Sequence, residues 1–162
     1  MNRIVVLGGS GFVGRALCRR LATDRPGLRV VVPTRRADHA AALRPLPTVD
    51  IVHADVHDAA QLQRLLAGAD AVINLVAILH GSADDFERVH VELPRRIAAA
   101  CHGAGVPRLV HVSALGVATD APSNYLRSKA RGEQLLRDAG LALTVLRPSV
   151  IFGAEDRFLN LF

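Results

Sequence analysis

A chain of 162 residues, half of them hydrophobic and 22 % charged, is long enough for one domain with a real core. Its net charge of +5 comes almost wholly from arginine, 19 against a single lysine; with aromatic residues at only 4 % no stacking platform accompanies that charge, and nucleic acid is not an expected partner. The longest apolar run, Ala71 to Leu79, is broken by Asn74 and is too short to cross a bilayer, so no transmembrane segment is predicted.

Arg3 to Leu7 reads as a first strand. It runs directly into Gly8-Gly9-Ser10-Gly11-Phe12-Val13-Gly14 and then into a helical pattern through Val13, Leu17, Cys18 and Leu21. The glycine turn cuts the apolar run off too early for a signal peptide, which leaves a cytoplasmic or other reducing compartment as the expectation. Glycines at this G-x-x-G-x-x-G spacing, between a strand and a helix, make a tight turn, admit a pyrophosphate to bare backbone and let the helix pack closely. The helix N-terminus then offers free amides and roughly half a positive charge to an anion. Gly8, Ser10, Gly11, Phe12, Val13 and Gly14 are therefore the predicted phosphate-binding residues.

Leu28 to Pro33 is a second predicted strand, followed by Thr34-Arg35-Arg36. An acidic residue at this place would bond a ribose 2′-hydroxyl; here an arginine fork could grip a 2′-phosphate instead. That favours NADP(H) over NAD(H). Asp50 to Ala54 gives the third strand, with Asp55 and Val56 beyond it. Asp58 caps a helix with Gln61 as its capping-box partner, and Gly68 closes it. Ala71 to Val76 is a fourth, fully apolar strand of the kind covered on both faces. Its end lies at the expected reversal of strand order, where ligands bind.

Leu79 to Asp85 reads as a loop and Phe86 to His102 as a long helix, with Pro94 marking a kink or break. Arg108 to Val112 is the fifth strand and runs into Ser113. Pro122 and Ser123 open a helix through Tyr125 and Lys129 to Ala139, and Ala142 to Leu146 is the sixth strand. The alternation predicts an α/β fold, a doubly wound parallel sheet in the order 3-2-1-4-5-6. Residues 1–153 form the dinucleotide-binding domain in this reading. The apolar tail Phe158 to Phe162 reads as the start of a further segment that is cut short. Cys18 and Cys101 are expected to be buried thiols, and His53 and His57 lack a spaced third ligand, so no metal site is predicted.

Tyr125 and Lys129 are the only tyrosine and the only lysine. Four residues apart on a helix they share a face, and an ammonium beside a phenol favours the phenolate. Such a pair suits proton transfer to or from a carbonyl or hydroxyl that exchanges a hydride.

The glycine loop, the Tyr125/Lys129 pair and the stretch Leu146-Arg147-Pro148-Ser149-Val150-Ile151-Phe152-Gly153 together resemble the short-chain dehydrogenase/reductase superfamily on its extended, epimerase-like side. Val72-Ile73-Asn74-Leu75-Val76, Val110 to Gly116 and Glu155-Asp156-Arg157-Phe158 resemble the atypical branch that includes the nucleotide-binding accessory subunit of respiratory complex I and its bacterial relatives. The resemblance implies that Ser10 to Val13 contact pyrophosphate and that Arg35, with Arg36, holds the adenosine phosphate. It further implies that Asp55 and Val56 flank the adenine, that Val76 and Ala77 border the nicotinamide ribose, that Lys129 binds that ribose and that Pro148 approaches the nicotinamide. Two positions depart from the pattern. The family's serine falls on Ala114 or Leu115, leaving Ser113 offset as the candidate, and its helix asparagine is His90. The family's C-terminal substrate lobe is also missing from this stretch. The expected function is hydride transfer of reductase or epimerase/dehydratase type on a small molecule. The alternative is a dinucleotide-holding module without turnover in a respiratory assembly, with a protein partner and a place peripheral to a membrane complex.

Overall fold

The computed structural model describes residues 1–153; the expected C-terminal segment and the Glu155 to Phe158 motif lie outside the described residues. Six parallel strands form one sheet in the order β3-β2-β1-β4-β5-β6. They are β1 (Arg3–Leu7), β2 (Arg29–Thr34), β3 (Val49–His53), β4 (Ala71–Asn74), β5 (Arg108–Val112) and β6 (Ala142–Leu146). The helices are α1 (Phe12–Asp24), α2 (Ala59–Leu66), α3 (Ala83–Glu87), α4 (Leu93–Ala104) and α5 (Asn124–Asp138). This is the sheet and the strand order that the alternation of elements predicts.

Period-two alternation along the strands divides the core. Val5, Leu7, Val31, Val72 and Leu109 point to one face and pack with Leu62 and Leu66 of α2, Leu93 and Ile97 of α4 and Leu136 of α5. Ile4, Val6, Val30 and Val32 point the other way, toward Cys18 of α1 and Leu43. Leu43 ends a 3-10 helix, Ala37–Leu43, for which the sequence carried no periodic signal. Both cysteines are buried, and burial pushes each thiol up to about 11.

Three features differ from expectation for a local reason. β4 ends at Asn74 and not at Val76, because the Asn74 side chain takes the Val76 N–H (3.1 Å) and turns the chain out of the sheet. At α2 the Asp58 carboxylate accepts from Gln61 N–H at 2.9 Å as expected, but the Gln61 side chain accepts from Asp55 N–H, so the reciprocal box is not closed. The long helix starts earlier, at Ala83, under a Ser82–Asp85 capping box, and is interrupted by one π-turn, Arg88–Glu92. Pro94 explains the interruption: it has no N–H to give the carbonyl of His90, four residues back, and its ring crowds that oxygen.

Candidate dinucleotide site

The glycine loop is shaped by contacts that forbid side chains. Gly8 has φ +80, and a Cβ there would stand 3.1 Å from the Leu75 carbonyl carbon at the exit of β4. A Cβ on Gly14 would lie 2.4 Å from the Gly8 oxygen and 2.5 Å from Gly9 Cα, so only glycine lets α1 seat on the turn. Gly11 caps α1 without a side chain, and the first helical bond is Arg15 N–H to Gly11 O at 2.9 Å. The amides of Phe12, Val13 and Gly14 have no partner among the described residues. Uncapped amides, a helix N-terminus and a surface free of Cβ atoms fit a diphosphate.

At one flank Thr34 is buried, and its hydroxyl accepts from Arg36 N–H (3.2 Å) and donates to Arg36 O (3.0 Å), which fixes the turn after β2. Arg36 pairs with Asp38 at 3.1 Å, whereas Arg35 is exposed and makes no ion pair among the described residues. Asp55 folds back as an Asx turn, its carboxylate accepting from His57 N–H at 2.9 Å. Val56 packs on the same core cluster as Val76.

At the other flank the polar groups bond to one another. Lys129 is 2 % exposed, and its ammonium donates to the Val112 carbonyl at the end of β5, 2.7 Å away. Burial brings it down to about 8, against the pull of Glu133 one turn along. Tyr125 is half-buried, and burial raises its phenol. The expectation that the lysine lowers the phenol is therefore corrected for this state, in which desolvation prevails and the ammonium is engaged by a carbonyl. Ser113 is buried, and its hydroxyl finds no well-formed hydrogen bond among the described residues, although it helps to keep the nearby Glu133 ionised. Leu115, one of the two positions on which the family's serine falls, is 64 % exposed. Pro148 is held beside this strand end, where its carbonyl accepts from Leu115 N–H at 2.8 Å.

Apart from His90, which the resemblance placed at the family's helix asparagine, the polar residues that complete this network had no predicted role. The Asn74 amide donates to His111 Nδ1 (3.1 Å), joining β4 to β5 beneath the site. Burial, with Lys129 adding to it, drives His111 to about 3. His90 is neutral by the same causes, at about 4. Its Nε2 accepts from Ile78 N–H (3.2 Å), so its proton is on Nδ1, within 2.8 Å of Ser128 Oγ. Glu133, 2 % exposed, takes Arg147 at 2.6 Å and Arg137 at 2.7 Å. Burial would raise this carboxyl, but those arginines, with Ser113, hold it at about 2. The i,i+4 spacing of Lys129, Glu133 and Arg137 was the signal that could have found it. Among the described residues no group of three His, Cys, Asp or Glu is placed for a metal ion. A separate cleft of about 490 Å³ runs between α2 and β2–β3, where Arg29 pairs with Asp50 and Arg3 donates to the Leu65 and Ala67 carbonyls.

A family model described as NAD(P)H-binding matches residues 8–157, the span from the first glycine past β6. The chain belongs to this NAD(P)H-binding family. It is 37 % identical over 162 residues to the mouse (Mus musculus) mitochondrial NADH dehydrogenase [ubiquinone] 1 alpha subcomplex subunit 9, covering 97 % of this chain and 42 % of the relative. It is also 34 % identical over 154 residues to the ceramide reductase of Caulobacter vibrioides, covering 94 % and 47 %. This chain thus spans less than half the length of these relatives. Among solved structures it is similar to a double mutant of dTDP-glucose 4,6-dehydratase from Streptomyces venezuelae with NAD bound (TM-score 0.78, 28 % identity, 90 % of this chain and 55 % of that one). The UDP-glucuronic acid 4-epimerase of Bacillus cereus shares the fold at TM-score 0.80 and 22 % identity, over 93 % and 58 %. The expected family and its atypical branch are those found. Among the described residues no helix is long and apolar enough to cross a membrane.

Proposed function

We propose that this chain holds NADP(H) in preference to NAD(H) and forms the cofactor half of a reductase or epimerase/dehydratase-type site acting on a small molecule. One observation carries the reading: the bare, uncapped start of α1 abuts the exit of β4 through Gly8, on the side of the sheet ends where α5 brings Tyr125 and Lys129. Ser10, Gly11, Phe12 and Val13 would hold the diphosphate, and Arg35, which makes no ion pair among the described residues, would take the 2′-phosphate. Val76, Ala77 and Pro148 would border the nicotinamide half, which supplies the hydride when bound. Tyr125 would give or take the proton at the substrate oxygen. Lys129 would move from the Val112 carbonyl to the ribose hydroxyls and there lower the phenol. A cytoplasmic location belongs to this proposal.

A second reading is favoured by the resting geometry. Lys129 is bonded to backbone, the Tyr125 phenol is raised, and Ser113 is poorly partnered, which suits a module that binds a dinucleotide without turnover. The mitochondrial relatives named as NADH dehydrogenase subunits motivate its form, a peripheral part of a respiratory complex. Native mass spectrometry of the purified chain, followed by a Tyr125→Phe variant, separates the two. The catalytic reading expects bound nucleotide in both and loss of reductase turnover in the variant alone. Bound nucleotide with no turnover in the wild type across carbonyl substrates leaves the second reading, and absence of any nucleotide affinity rejects both.

A further inference from the structure

His90 occupies the middle of the π-turn and touches three separate segments. Through Nε2 it accepts the Ile78 N–H of the loop leaving β4. Through Nδ1–H it donates to Ser128 Oγ, and that hydroxyl donates on to the Tyr125 carbonyl at 2.8 Å, inside α5. Its ring stacks on Phe86 of α3 (centroids 5.5 Å apart, planes at 29°) and meets the Tyr125 ring edge-on at 5.4 Å. Its carbonyl, to which Pro94 has no N–H to give, faces α5 so closely that a Cβ on Gly132 would sit 1.8 Å from the oxygen.

The register of these bonds matters. Ile78 follows Val76 and Ala77 directly, and Ser128 stands between Tyr125 and Lys129 in the chain. We propose that His90 is a positioning residue for the nicotinamide half of the bound dinucleotide: its imidazole ties the loop after β4 to α5 and so fixes Val76 and Ala77 opposite Tyr125 and Lys129. This rests on the dinucleotide reading above. The residue type follows from reach. An asparagine amide ends at the level of Nδ1, whereas the far nitrogen of an imidazole extends one bond further, to the backbone of the opposite loop. Neutrality is required as well, because a protonated Nε2 would cease to accept from Ile78 and would stand as a second cation near Lys129.

The test compares NADPH with 2′-phospho-ADP-ribose, the same ligand without nicotinamide, by calorimetry on the 162-residue chain. His90→Phe keeps the ring and its stacking but removes both hydrogen bonds. It is expected to weaken NADPH by five- to twentyfold while the fragment stays within twofold, and to blunt the rise in NADPH fluorescence on binding. His90→Gln, whose carbonyl can accept from Ile78, is expected to restore most of the loss. If His90→Phe does not fold, Ser128→Ala cuts the other tie and reads the same split with a smaller effect. Equal changes for both ligands, or none for either, overturn the proposal. Wild-type chain that binds neither ligand overturns the underlying reading itself, and if NADH proves the tighter ligand the pair becomes NADH and ADP-ribose.

Discussion

At the glycine loop the groups proposed to face a ligand are backbone amides without partners among the described residues, held in place by glycines that leave no room for a side chain. At the Tyr125 end the groups are side chains, and nearly all of them are bonded to one another or to backbone: Lys129 to Val112, His90 to Ile78 and Ser128, Asn74 to His111. The first end is ready for an anion with no rearrangement. The second is a closed polar network; under the proposed function its members would exchange a protein partner for a ligand, and the cost of opening it would set the affinity and the turnover of that half. The proposed binding at one end and the proposed chemistry at the other can therefore be tested separately.

Steric contacts give the largest expected effects. Gly132→Ala drives a methyl into the His90 carbonyl, and the contact is with backbone on a buried helix face, so α5 must move as a unit. A loss of about 3 kcal/mol or more is expected in urea unfolding. Gly14→Ala meets Gly8 and Gly9 backbone in the same way and should abolish binding of both NADPH and 2′-phospho-ADP-ribose, since it closes the proposed diphosphate cradle. Either variant unfolding at the wild-type midpoint would show that the close approaches are not kept in solution.

Acid should attack the closed network before the open loop. His90 and His111 fall from an ordinary value near 6.5 to about 4 and about 3 in the folded chain. Depressed folded values mean that the unfolded chain binds protons the folded one refuses, so stability is fully present above pH 6.5 and is lost as pH falls toward 3. On the order of 3 kcal/mol per imidazole is at stake. Glu133, at about 2 against 4.5, adds a loss of the same sign between those values. Lys129 works on the alkaline side: its burial penalty is complete below pH 8 and is relieved between about 8 and 10.5, so stability there should rise. Melting temperatures from pH 3 to 10 at constant ionic strength check all three windows. A flat profile between 6.5 and 4 would mean that the two imidazoles reach solvent.

How far the sequence could be read follows the same division. Loop and sheet were legible because they depend on local rules: glycine spacing, β-branched runs, and a cap at Asp58. The network was not, because it is assembled from long-range neighbours. Asn74 and His111 are adjacent only through strand register, and His90 meets Ser128 only after two helices pack. The signals that existed were indirect: a proline four residues after His90, and a glycine in the middle of α5 with no turn to explain it. The phenol is raised in this state because burial dominates and the ammonium is held by the carbonyl at the end of β5, neither of which the spacing on a helix reports.

Charge at the open flank comes next in size. Arg35 makes no ion pair among the described residues, whereas Arg36 is engaged by Asp38, so the two neighbours should behave differently. Arg35→Asp is expected to weaken NADPH by about tenfold or more while leaving NADH within a few-fold, and Arg36→Ala to change either by less than threefold. Equal losses for both dinucleotides in calorimetry would remove Arg35 from 2′-phosphate recognition.

Ser113 offers the smallest effect and the finest probe of the closed end. Its hydroxyl is buried beside the Glu133 carboxylate, which Arg137 and Arg147 already satisfy. Removing a hydroxyl with no well-formed bond relieves desolvation and forfeits little, so Ser113→Ala should shift stability by less than about 1 kcal/mol in either direction. NADPH affinity should not move, because nothing the ligand touches has changed. Turnover is the discriminating readout: if the offset serine still serves the substrate oxygen beside Tyr125, kcat falls while KM for NADPH holds. A loss of stability above about 2 kcal/mol would instead show the hydroxyl bonded to Glu133 and acting as part of the clasp between α5 and the end of β6.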